Sequence, residues 1–164
     1  MKIFILLMTG LCYALAGAYA QTATYDNKPM PASSGRLVPE GPDVYGVFDA
    51  KTPCREFSVS YKVPVRPECF KVKWRLVLFR DSISKDPAGF RLQGLGKTWE
   101  GKWRILKGAA GRPQATVYQL DLGAENGQLF LFKGDEHVLF FLDPQRHFLK
   151  GNADFSYTLN RVEN

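Results

Sequence analysis

The side chains best able to do chemistry are few. Beyond residue 20 the chain has two cysteines, Cys54 and Cys69, two histidines, His137 and His147, and one methionine, Met30. A metal centre needs several imidazole, thiolate or carboxylate donors at spacings such as HxH, HExxH or CxxC. None of these spacings occurs. His137 falls at a hairpin edge and His147 in a turn, and both read as solvent-exposed loop residues. A lone Met30 rules against a methionine-rich copper site. Nucleophilic catalysis needs a serine or thiol beside a base, and no GxSxG elbow is present. Asp121, Glu125, Asp135 and Glu136 are turn residues first, so a glycosidase-type carboxylate pair is not indicated. Lys107-Gly108-Ala109-Ala110-Gly111-Arg112 is glycine-rich like a phosphate loop. It lacks the GxxxxGKS/T spacing and no helix follows it, so it reads as a turn. The expectation is a non-enzyme with no catalytic residue, no metal site and no cofactor.

The thiols are read through their compartment. Met1-Lys2 opens a positive start, residues 3–16 are mostly apolar, and Ala18-Tyr19-Ala20 presents small residues for cleavage before Gln21. Residues 1–20 therefore read as an export signal. The apolar run is short for a membrane span, and bulky Leu11 before Cys12 argues against a lipoprotein signal. Cleavage removes Cys12 and one charge, Lys2, so a net charge of +6 becomes +5. The expected location is periplasmic or secreted, with no transmembrane segment. In an oxidising compartment the default state of Cys54 and Cys69 is a disulfide.

The positioning elements follow from periodicity. The 164 residues suffice for one domain with a core, and 45% hydrophobic with 23% charged content is globular. Aromatics at 13%, including twelve Phe, favour strands. Residues 21–43 are rich in proline and poor in large apolar side chains, which reads as a flexible tether before a domain at 44–164. From Val44 the apolar period is mostly two. Phe70, Val72, Trp74, Leu76 and Leu78 alternate with Lys71, Lys73 and Arg75. Trp99, Gly101, Trp103 and Ile105 share a face. Gln128–Phe132 and Val138–Leu142 flank a hairpin loop, and Asn152–Val162 forms the last strand. Arg55 to Val63 reads as a strand or a short helix, and the prolines around it suit a capping excursion over one end of a barrel. No amphipathic helix of ten or more residues appears. The predicted fold is all-β, a small antiparallel up-and-down, lipocalin-like barrel of about eight strands with an irregular capping segment. A two-sheet sandwich is the alternative.

Phe70, Trp74, Phe90, Trp103, Phe141, Phe155 and Tyr157 supply candidate inward side chains. Trp74, Phe90, Trp103, Phe141 and Tyr157 are the ones that would face a ligand if the barrel is hollow. Small eight-stranded barrels either fill with such residues or hold one apolar molecule. Lys71, Lys73 and Arg75, then Lys97, Lys102, Arg104 and Lys107, read as the solvated outside of the barrel. An exported chain gives no reason to expect nucleic acid as a partner.

The Val44-Tyr45-Gly46-Val47-Phe48 strand, the Thr52-Pro53-Cys54 element and the later Gly101-Lys102-Trp103 strand resemble the N-terminal domain of the NlpE copper-resistance and envelope-stress lipoproteins. The likeness covers about residues 44–160 and implies a small lipocalin-like barrel. The family carries CxxC after that proline and is usually lipidated. Here Arg55, Glu56 and Phe57 follow Cys54, and the leader reads as simply cleaved. The expected function is a non-catalytic bacterial envelope protein that binds a small apolar ligand or an envelope partner. The alternative is a loop-mediated inhibitor or scaffold protein acting on an envelope enzyme, with the 49–69 excursion as its surface.

Overall fold

Side-chain alternation along the chain wraps eight antiparallel strands into a closed barrel in the computed structural model, which describes residues 39–41 and 43–162. The strands are β1 (Val44–Thr52), β2 (Val72–Arg80), β3 (Pro87–Gly94), β4 (Lys97–Ala109), β5 (Arg112–Asp121), β6 (Gln128–Lys133), β7 (Val138–Leu142) and β8 (Thr158–Arg161). One helix, α1 (Arg55–Tyr61), lies between β1 and β2. Each strand pairs with its sequence neighbour, and β1 closes the ring on β8 through Phe48 opposite Arg161 and Asp49 opposite Asn160. The up-and-down barrel is thus the architecture, and the sandwich is not. Closure gives each of the eight described strands a partner on both sides. The leader and residues 21–38 of the tether lie outside the described residues.

Period-two alternation sets the inside. Phe48, Ala50, Trp74, Leu76, Leu78, Phe90, Leu92, Trp103, Tyr118, Leu120, Leu129, Leu131, Leu139, Phe141, Tyr157 and Leu159 belong to one buried cluster. Small residues make room for large ones. Ala50 is the cross-strand partner of Trp74. A Cβ on Gly94 would overlap the six-membered ring of Trp74, and one on Gly101 would overlap the Asp121 carbonyl oxygen. Val117 points away from its neighbour Tyr118, into a second cluster on the outer wall with Phe130, Leu142 and Ala109. Arg146 ties that cover down: its guanidinium donates to the carbonyls of Lys107 and Gly108 at 3.2 and 3.1 Å.

Several local expectations change. Phe70 lies outside β2 and is 61% exposed, because Cys69 is held to Cys54 and the chain joins the sheet only at Val72. Its ring meets Phe155 edge-on at 5.2 Å, a pair outside the core cluster. Pro87 starts β3, at the first-residue position where a missing N–H costs little. Arg75 is not on a solvated face; it is buried, 3.8 Å from Asp49 across the β1–β2 ladder. The last strand is only four residues, since Asn152 Oδ1 accepts from the Asp154 and Phe155 N–H groups and turns the chain there.

A Gly-to-Ala change in a permissive site usually stabilises by restricting the unfolded chain. Gly94→Ala should instead lower stability by about 1–3 kcal/mol, through overpacking against Trp74. Gly89→Ala, where the nearest atom to a new methyl is 3.7 Å away, should stay within about 1 kcal/mol of the parent in the same urea titration.

Candidate functional site

The capping excursion is a helix and not a strand. Phe57 and Tyr61 are four residues apart, so they share one helical face and both turn to the barrel end. Val59, which would share their side of a strand, is 71% exposed. The helix stops at Lys62, whose backbone is left-handed (φ 53°). Ser58 Oγ then donates to the Val63 carbonyl at 2.6 Å, and the chain returns through a turn closed by Cys69 N–H to Arg66 O at 2.9 Å. Cys54 and Cys69 are joined by a disulfide with Cα atoms 6.0 Å apart. It ties the start of the helix to the strand that follows. Such a bridge is compatible with export. Among the described residues no helix is long and apolar enough to cross a membrane.

The plug enters deeply. The Phe57 ring lies 4.6 Å from Tyr61, 4.8 Å from Trp74 and 5.9 Å from Phe141, centroid to centroid. Tyr157 is the polar pin beneath it: its hydroxyl accepts from the Phe57 N–H at 3.0 Å and donates to the Pro53 carbonyl at 2.8 Å. Tyr61 donates to the Leu142 carbonyl and accepts from the Phe130 N–H.

The five residues named as interior ligand candidates all face the barrel axis. Trp74, Phe90, Trp103, Phe141 and Tyr157 are each 3% exposed or less. Trp74 packs on Phe141 at 5.4 Å and donates its indole N–H to Thr52 Oγ1 at 2.9 Å. Phe141 meets Tyr157 at 6.3 Å. Phe90 lies under the Gly101 backbone, 3.0 Å from where a Cβ would stand. Trp103 sits in a separate group, 5.2 Å from Tyr45 and 4.9 Å from Tyr118, and donates to the Phe79 carbonyl at 2.6 Å. Their faces and polar tips are engaged with protein atoms.

A concavity lies beside the plug. An open cleft of about 910 Å³ separates the end of α1 from the β5–β6 loop and the Pro144-Gln145 turn. Tyr61 and Phe130 form an apolar floor, and Lys62 and Asp121 bring opposite charges to the rim. Asp121 Oδ1 accepts from the Gly123 N–H at 3.0 Å, and the loop closes through Gly127 N–H to Gly123 O at 2.9 Å, with both glycines at positive φ. The floor suits apolar contact, and the Gln128 side chain suits hydrogen bonding to a polar partner group. Three distant segments build this cleft. The glycines predict a turn from Gly123 to Gly127, and nothing local in the sequence connects it with Tyr61.

His147 Nδ1 lies 3.3 Å from Asp143 Oδ2, but its side chain is 63% exposed, so this is a surface turn contact. Among the described residues no group of three His, Cys, Asp or Glu side chains is placed to hold a metal. No protein-family model, curated protein or solved structure matches the chain.

Tyr61→Phe removes a buried hydroxyl and leaves the Leu142 carbonyl and Phe130 N–H without that partner. It should cost about 1–3 kcal/mol in urea unfolding. Burial also pushes the hydroxyls of Tyr61 and Tyr118 above the ordinary phenol range, and that of Tyr157 up to about 12. The unfolded chain ionises these groups near pH 10, earlier than the folded one. Stability should be full below pH 10 and fall as pH climbs towards 12, with a shallower fall in Tyr157→Phe. Urea midpoints measured from pH 8 to 11 check this.

Proposed function

We propose that the protein is an exported, non-catalytic binding protein of the bacterial envelope, NlpE-like and lipocalin-like in its barrel, which holds a protein partner at the cleft beside its disulfide-tied cap. The observation that carries this reading is the occupied barrel axis. A small apolar ligand in the interior would have to displace rings that already pack on one another, Phe57 with Trp74 and Phe141. Binding falls to the outside, and the cleft supplies an apolar floor with a polar rim. The disulfide and the Tyr157 pin hold the cap wall of the cleft in one place, so little ordering entropy is lost on binding. A loop-mediated inhibitor or scaffold protein is a special case of the same surface, because Ser60, Tyr61 and Lys62 belong to the 49–69 excursion.

Photo-crosslinking residues placed at Ser60 and Gln145 in the intact envelope should trap one discrete polypeptide, whereas one at Ser82 should not. Native mass spectrometry of the gently purified protein should give the mass of the oxidised polypeptide alone. An apolar compound that co-purifies and leaves only on denaturation would overturn the proposal in favour of an interior ligand.

A further inference from the structure

The barrel end opposite the cap is lined differently. Strand register places two cations there on the inward face. Arg161 is the cross-strand partner of Phe48, and Lys133 is that of Leu139, and both partners belong to the core. The Arg161 guanidinium lies over the Phe48 ring at 4.8 Å and donates to the Tyr45 carbonyl at 3.0 Å and the Glu136 carbonyl at 2.6 Å. The Tyr45 and Tyr118 hydroxyls are hydrogen-bonded to each other at 2.6 Å, and Trp103 packs on both rings.

Lysine and arginine bring only donors, and the phenol pair brings one more. The carboxylate joined to this set is that of Glu136, which reaches Lys133 from the β6–β7 hairpin loop and keeps 66% of its side chain exposed. Glu136 is held below the ordinary carboxylate range, first by that bond to Lys133. The hydrogen bond between the two phenols uses one of their hydrogens and leaves the other to be donated. Ile105 pairs with Tyr118, so it shares the inward side, and at 49% exposure it offers an apolar shelf at the rim.

We infer that this mouth is a binding site for a small organic acid, with Lys133, Arg161 and the remaining phenol hydrogen of the Tyr45–Tyr118 pair taking the carboxylate, Ile105 taking the apolar body, and the ligand displacing the Glu136 carboxylate from Lys133. The site is separate from the cleft and does not depend on it. A ligand here needs no room along the filled axis, because the head group is met at the rim.

The test is calorimetric titration of the full oxidised protein with octanoate, with octanol as the uncharged control. Octanoate should bind and octanol should not. Glu136→Gln removes the internal competitor from an exposed position and should tighten octanoate several-fold. Lys133→Met should weaken it about tenfold, the scale of one lost charge-assisted hydrogen bond. Tyr45→Phe, which keeps the ring on Trp103, should weaken it less and covers the case in which Lys133→Met does not fold. Equal binding of octanoate and octanol, absence of octanoate binding, or a Glu136→Gln variant that binds no better would each overturn the inference.

Discussion

A closed eight-stranded sheet makes a tube, and the tube has to be filled. Everything else in this molecule follows from how that is done. The strands supply Trp74, Phe90, Trp103, Tyr118 and Phe141, and the chain then adds Phe57 and Tyr61 from a helix that is not part of the sheet. Gly94 and Ala50 keep the space that the Trp74 ring occupies. Close packing of this kind gives the interior side chains protein partners, Phe57 with Trp74 and Phe141 above all.

The helix earns its place through polar detail as much as through apolar area. A plug at a barrel end buries its own backbone donors, and each must be met. Tyr157 meets the Phe57 N–H and is itself anchored on Pro53. Tyr61 bridges the Leu142 carbonyl and the Phe130 N–H of two neighbouring strands. The disulfide then limits how far the helix and the following loop can separate. With the cap held this way, one wall of the cleft is rigid, and the opposite wall is set by the glycine-bent β5–β6 loop.

Much of the barrel was legible because alternation is a local signal. Val72 to Leu78, Phe90 to Gly94 and Trp99 to Trp103 each declare an inner face within a few residues, and the structure places those faces inward. The capping role of the 55–63 stretch was also legible, but its conformation was not. Phe57, Val59, Tyr61 and Val63 fit period two, while Phe57 and Tyr61 alone fit a helical turn; only the depth of the barrel end decides between them. Phe70 misled because the alternation of β2 runs back through it, whereas the Cys54–Cys69 bridge holds the chain off the sheet until Val72. The cleft and the mouth were not legible at all. Lys133 next to a turn and Arg161 near the end of the last strand look like ordinary surface charges. Their inward aim is a consequence of register across β6–β7 and β1–β8, which no single segment carries.

Xenon is a direct probe of unoccupied apolar space, since it enters dry cavities that protein atoms leave open. Xenon-pressurised crystals of the oxidised protein should show no xenon among Trp74, Phe90, Phe141 and Tyr157. A well-occupied xenon atom between those rings would show that the axis is hollow and would contradict the account.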